Sequence, residues 1–224
     1  MDETCNLGIS GCRIISSEDA SLLIGSGIEF PSFKRTLFAN PVIIRLARML
    51  KISLDRKYDA HKMHGSDHPV DFVSGACAMI SKNKIEKHGL YFDEDFFLYY
   101  EDVEWSYRTK KLGYSNYFFS SVTIYHENSA TTKKSGNKEN QILISSFLFY
   151  YKTMNLLCYY IHGALMSINF LIISFLLKRA GHHANHQDKL KQYKIFRNYY
   201  FSIPYTFKRN PSSSKTFLQY VEPT

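Results

Sequence analysis

The apolar residues change period several times along the chain, and each change marks an element. Asn6–Ile15 predicts a strand, with Leu7, Ile9, Ile14 and Ile15 as its apolar content and Gly8 and Gly11 as loosening points. Ser16–Ala20 is a polar turn, and Leu22–Phe30 a short extended segment stopped by Pro31. Val42, Ile43, Leu46, Leu50 and Leu54 recur at helical spacing behind Pro41, so Phe33–Leu54 predicts a helix. Asp55–Pro69 is polar and reads as a loop. Asp71–Ile80 predicts a strand, and Lys82–His88 a short helix ended by Gly89. Glu101–Leu112 predicts a second helix with Gly113 at its end, and Tyr117–Tyr125 a strand that delivers His126 to its terminus. Asn128–Asn140 reads as a mobile loop, and Gln141–Lys152 as an aromatic helix. The order of strands and helices implies an α/β fold.

Between Lys152 and Lys178 there is no Lys, Arg, Asp or Glu, so Thr153–Leu177 is long enough to cross a bilayer. Asn155, His162, Gly163, Ser167, Asn169 and Ser174 interrupt its apolar run. Lys133, Lys134, Lys138 and Lys152 precede it, and Lys178 and Arg179 follow. A single span would put one basic flank outside, against the positive-inside preference. An interfacial helix, or a re-entrant hairpin broken near Gly163, keeps both flanks on one face. A true span and a buried core helix are the other two readings. Beyond it, His182–His186 reads as a polar linker, and Ser202–Thr224 as a frayed end. The expected organisation is thus 1–150 as an α/β domain, 151–180 as a membrane-associated helix or hairpin, and 181–224 as a basic tail.

Charge sharpens that division. The net charge is +8, yet Lys178–Thr224 holds nine Lys and Arg against two acids, which leaves the rest of the chain near neutral. A basic tail suits anionic lipid or nucleic acid. No nucleic-acid reader module is recognisable, so no nucleic-acid partner is expected. With 45% hydrophobic and 16% aromatic residues, the chain has the composition of a folded protein. Cys5, Cys12, Cys77 and Cys158 form no C-x-x-C pair, so free thiols in a reducing compartment are expected. Met1-Asp2-Glu3 does not open a signal peptide, so the part with candidate chemistry is expected in the cytoplasm.

Candidate chemistry concentrates in Asp71–His126. Ser74-Gly75-Ala76 is a run of small residues that lets a ligand or another element approach the backbone. Glu101, Asp102 and Glu104 open the second helix, where acids complement the helix dipole. Three acids in four residues exceed what that role requires. Glu104 and Arg108, at i,i+4, are placed to pair on the surface. His61, His64 and His68 have spacings that suit one helix face, but Gly65 and Pro69 favour a loop and no carboxylate or cysteine completes a metal set.

These residues resemble a motif series of the family 2 glycosyltransferases, in particular the rhamnosyltransferase-like members. The resemblance rests on Gly75-Ala76, Gly89 with Phe92-Asp93-Glu94, the run Phe96–Glu104, Arg108, Gly113-Tyr114 and His126, in that order and spacing, over roughly Asn6–Ser129. It implies a GT-A (Rossmann-like) α/β fold. It also implies inverting transfer of a sugar from a nucleotide-diphosphate donor, in the building of cell-surface polysaccharide such as O-antigen. By position, Asp102 would be the general base, and Glu101 would help orient it. Gly75 and Ala76 would border the sugars, and His126 would match a metal ligand, with Mg or Mn as the cofactor. Trp105 reads as structural, or as a lining of the acceptor cleft.

The family's nucleotide site and D-x-D motif lie in a half that normally precedes the strand matching Asn6–Ile15. The only D-x-D here, Asp93-Glu94-Asp95, matches the family's F-D-E segment instead. The sequence therefore reads as the C-terminal part of such an enzyme, with weak binding of nucleotide sugar and a poorly stable sheet as expectations. The membrane surface and a lipid-linked saccharide are the expected partners, at the cytoplasmic face of a bacterial inner membrane. A catalytically inactive remnant that only associates with a membrane or partner is the competing reading.

Overall fold

A computed structural model describes residues 6–17, 21–23, 26–27, 29–32, 49, 65–127, 138–179, 181 and 183–209. The helix expected over Phe33–Leu54, His61, His64, His182 and the chain beyond Arg209 fall outside the described residues.

The molecule is mixed α/β and divides into two compact units, each built from separate stretches of chain. The first comprises Met1–Phe30, Lys57–Glu94 and Tyr99–Gly136. Its sheet is centred on β1 (Leu7–Ser16) and β7 (Ser115–His126), which run parallel. On the other edge of β1, β2 (Leu22–Leu23) and β6 (Ala78–Met79) pair antiparallel at different heights. β4 (His68–Val70) pairs antiparallel with β7 at Asn116–Phe118. β3 (Ser26–Gly27) and β5 (Phe72–Val73) form a separate two-stranded piece. β1 has partners on both edges and seven of its ten residues are buried, so apart from Arg13 its pattern is a continuous apolar and small-residue run rather than an alternation.

Two expected elements differ. The polar segment before Asp71 ends in strand β4, including Pro69, which sits at the end of the sheet where its missing N–H is tolerated. Asp71–Ile80 is not one strand: β5 and β6 flank a turn at Ser74–Cys77, closed by the Cys77 N–H donating to the Ser74 carbonyl at 3.2 Å. Small residues permit that sharp reversal, which periodicity alone does not distinguish from a strand. Gly8 and Gly11 are close-approach points rather than loosening points. A Cβ on Gly11 would lie 2.3 Å from the Val73 side chain, and one on Gly8 2.7 Å from Thr109.

Helices α1 (Lys82–His88) and α2 (Glu101–Lys111) form as expected, each with a left-handed glycine after it, Gly89 at φ 62° and Gly113 at φ 89°. Ile9, Val70, Val73, Trp105 and Phe118 make the core where α2 packs with these strands. In the β1/β7 register, Cys12 faces Phe119 but Arg13 faces Thr123, so β7 bulges over three residues. Asp67 stabilises the bulge: its Oδ1 accepts from both the N–H and the hydroxyl of Ser120 at 2.7 Å. Those two bonds hold the Asp67 carboxyl below its ordinary range.

The second unit comprises Pro31–Arg56, Asp95–Leu98 and Asn137–Thr224. Its described elements are α3 (Lys138–Thr153), α4 (Leu156–Arg179), α5 (His183–Tyr200) and α6 (Ile203–Arg209). Two segments expected to be irregular are therefore helical: α5 starts at His183, inside the expected linker, and α6 covers Ile203–Arg209 of the expected frayed end. Asp95–Leu98 docks on α3, with Lys152 Nζ 2.5 Å from Asp95 Oδ2 and the Ser145 hydroxyl donating to the Leu98 carbonyl at 2.8 Å.

α4 is unbroken at Gly163, against the hairpin reading. The glycine serves packing instead: a Cβ there would lie 2.6 Å from the Tyr200 ring. Tyr200 is locked by reciprocity. Its ring stacks on Tyr159 at 4.2 Å, its hydroxyl donates to the Tyr159 carbonyl at 2.7 Å, and the Tyr159 hydroxyl donates to the Tyr200 carbonyl at 2.6 Å. Gly→Ala inside a helix ordinarily stabilises by roughly 0.5–1 kcal/mol. Here the clash reverses the sign, and Gly163→Ala is expected to cost about 1–3 kcal/mol. Chemical denaturation reads this directly; an unchanged or higher midpoint would mean that the Tyr200 ring yields freely.

Candidate active site

The site is built where the Ser74–Cys77 turn meets the N-terminus of α2, within the first unit. Asp102, in the first turn of α2, is half-buried. Its Oδ2 accepts the Gly75 N–H at 2.9 Å, and its Oδ1 accepts the N–H of Val103 at 2.8 Å. Gly75 and Ala76 are exposed, and the Ala76 N–H donates to the Ser74 hydroxyl at 3.3 Å, stiffening the turn. Burial pushes the Asp102 carboxyl above its ordinary value, against the lowering effect of the backbone N–H groups of Gly75, Val103 and Asp102 itself. Glu101 is raised likewise, by burial first and further by the Asp102 charge, and its Oε2 is buried with no hydrogen-bond partner among the described residues. Each carboxylate oxygen of Asp102 spends one lone pair on an amide and keeps another for a proton.

Part of the chain is similar to known glycosyltransferases. A stretch of 50 residues is 44% identical to the low-salt glycan biosynthesis hexosyltransferase Agl10 of Haloferax volcanii, covering 21% of this chain and 16% of that protein. A stretch of 75 residues is 29% identical to the N-acetylglucosaminyl-diphospho-decaprenol L-rhamnosyltransferase of Mycobacterium tuberculosis, covering 34% of this chain and 24% of that one. The matched part therefore spans a quarter or less of either relative. No protein-family model and no solved structure matches the chain.

The remaining expected site residues are placed differently from one another. Trp105 is core: it is 7% exposed, packs with Ile9, Val73 and Phe118, and donates its indole N–H to the Leu90 carbonyl at 2.6 Å. Glu104 and Arg108 do pair, but not on the surface. Glu104 is 5% exposed and takes the Arg108 Nε on both carboxylate oxygens, at 2.7 and 2.9 Å. Arg108 also donates to the Tyr91 carbonyl at 2.5 Å, tying α2 to the chain after α1. His126 ends β7, exposed and opposite Ser16, at the carboxyl edge of the parallel pair. Among the described residues, no group of three or more His, Cys, Asp or Glu side chains is arranged to hold a metal ion. The described residues thus do not by themselves make a divalent-cation site around His126.

Three features of the site were not singled out from sequence. Tyr99 and Tyr100, just before the carboxylates, both have left-handed backbones at φ 66° and 70°. A bulky residue pays roughly 1–2 kcal/mol for that conformation, and α2 starts without a side-chain cap. The second is Asn116, 1% exposed, whose amide accepts the Ile9 N–H at 3.1 Å and donates to the carbonyls of Asp71 at 2.7 Å and Ser106 at 2.9 Å. The third is Ser106, fully buried, whose hydroxyl accepts the Val73 N–H at 3.2 Å. Asn116 and Ser106 anchor the strand that leads into the Gly75 turn. An asparagine in a strand and a serine in a helix carry no local signal of such a role.

Cys77, in the same turn, sits 3.1 Å from Cys12, sulfur to sulfur. Burial, with the Cys77 contact, pushes the Cys12 thiol up to about 12, so it stays protonated and unreactive at neutral pH. Peptide-resolved alkylation should therefore modify the exposed Cys158 well before Cys12; equal rates would mean that β1 opens readily.

Proposed function

We propose that this chain carries the acceptor-side part of a glycosyltransferase site that moves a hexose or rhamnose from a nucleotide-diphosphate donor to a lipid-linked saccharide, with inversion. The observation that carries the reading is Asp102, a carboxylate of raised basicity held by the Gly75 amide at an exposed turn of small residues. The names of the partly matching relatives, a hexosyltransferase and a decaprenol-linked rhamnosyltransferase, support the substrate class.

In this reading the acceptor hydroxyl approaches over Gly75 and Ala76. Asp102 takes its proton as the hydroxyl oxygen bonds to the anomeric carbon, and the sugar–diphosphate bond breaks with its electron pair leaving on the nucleotide diphosphate. Glu101, half-buried at the start of the same helix, helps orient the base. The setting is the cytoplasmic face of a bacterial inner membrane, where a lipid-linked acceptor is available.

Membranes from cells making the intact gene product, given a panel of radiolabelled nucleotide-diphosphate sugars, should label a lipid-extractable saccharide. Absence of label above a gene-deletion control with every donor overturns the enzyme reading in favour of a non-catalytic module. Because a protonated Asp102 is no base, the acidic limb of the rate profile should lie above the ordinary aspartate value of about 3.9.

A further inference from the structure

We propose that α4 lies flat in the surface of an anionic bilayer, its outer face in the lipid and α5 covering it on the water side. The inference extends the lipid-linked acceptor reading, but it rests on the second unit alone and not on sugar transfer.

α4 is inside-out for a protein in water. The residues it buries are Tyr159, His162, Gly163, Phe170 and Ser174, a single stripe at helical spacing. The residues it exposes include Leu157, Ile161, Leu165, Ile168, Leu171, Ile172, Phe175 and Leu176. The polar residues that seemed to interrupt an apolar span thus largely face the protein, and the most hydrophobic ones face outward. Only 22% of the helix's most apolar window is buried. A contiguous exposed face of this kind marks an apolar medium or partner.

The packing of α5 decides between lying and spanning. α5 runs back along α4: Tyr200 stacks on Tyr159, while Phe196 and Tyr193 meet the Phe170 ring at 5.5 and 6.2 Å. Its other face exposes Asp188, Lys191, Lys194 and Arg197. Were α4 to cross the bilayer with α5 attached, the exposed charges of this face would be carried into hydrocarbon at a heavy desolvation cost. With α4 in the plane, they stay in water about one helix diameter above the headgroups, within roughly a Debye length. Lys178 and Arg179, exposed at the end of α4, reach the headgroups directly. Nine basic residues against two acids from Lys178 onward match an anionic surface and disfavour a second copy of the same positively charged face.

The test uses the full chain and vesicles of phosphatidylglycerol and phosphatidylcholine, or of phosphatidylcholine alone. The chain should float with the anionic vesicles, lose binding as salt rises, and bind at least ~10-fold more weakly when Lys178→Glu and Arg179→Glu are combined. Spin labels on Leu157→Cys, Ile168→Cys and Leu176→Cys, placed at the start, middle and end of the exposed face, should report the same shallow depth. A middle label much deeper than both ends means a span and overturns the proposal. So does failure of the unmodified chain to float with either vesicle, including the case in which it self-associates instead. None of these readings needs a sugar donor, so failure of the enzyme reading leaves them intact.

Discussion

Asp102→Asn should reduce sugar transfer by the intact gene product by roughly 10²–10⁴-fold, the range a general base supplies, while donor binding and fold persist. The amide oxygen of asparagine can still accept the Gly75 N–H that Asp102 Oδ2 accepts now, so the turn keeps its anchor, while the NH2 group cannot accept the Val103 N–H that Oδ1 accepts now. What disappears is the ability to take a proton. The lost Val103 bond costs the variant about 1 kcal/mol at every pH, and against that constant loss the removal of the charge favours the variant as pH rises. The sign follows from burial. Asp102 holds its proton to a higher pH folded than unfolded, so ionisation penalises the folded state as pH rises past the ordinary aspartate value. The penalty is complete above the raised folded value and vanishes below about 3.9, where both states are protonated. The variant's melting temperature relative to the unmodified protein should therefore be highest near neutral pH and fall toward pH 4. Retained turnover would remove Asp102 from the role of base; a large loss of stability would mean that the carboxylate is structural.

Asn116→Leu should be the most damaging single change in the first unit, costing about 2–4 kcal/mol. One side chain satisfies groups on three elements: the Ile9 N–H on β1, the Asp71 carbonyl before β5 and the Ser106 carbonyl on α2. Leucine matches the volume but leaves the buried Ile9 N–H and the Asp71 carbonyl without these bonds. A Cβ on Gly8 would lie 2.8 Å from the Asn116 oxygen, so there is little room for relaxation or for a replacing water. Urea unfolding measures the loss. Hydrogen exchange should show the Ile9 and Val73 amides losing protection first, because Val73 hangs on Ser106 beside the same hub. A loss under about 0.5 kcal/mol would make Asn116 an ordinary surface-like position.

The elements most legible in the sequence are those whose signals are local. α1 and its Gly89 stop, α2 and its Gly113 stop, and β7 through to His126 needed only capping and periodicity. The Ser74–Cys77 turn was misread as strand because small residues suit either. His182–His186 reads as a polar linker within a basic tail because it is polar and His-rich, yet His183 opens a helix whose packing is carried by Tyr193, Phe196 and Tyr200 in the aromatic cluster with α4. The left-handed tyrosines could not be read at all, since nothing in a tyrosine marks positive φ.

By itself the sequence determined the residue types and order of the candidate site: the small residues at 74–76, the acids at 101, 102 and 104, and a histidine at a strand end. It determined too that an uncharged apolar stretch precedes a basic end. Those are properties of neighbours along the chain. Only the tertiary structure decided which acid meets the Gly75 amide, that Glu104 is spent on Arg108, and that Trp105 belongs to the core. It alone decided which face of α4 the protein covers. Each of those depends on residues tens of positions apart, whose distances are set by packing and hydrogen-bond satisfaction rather than by any local preference.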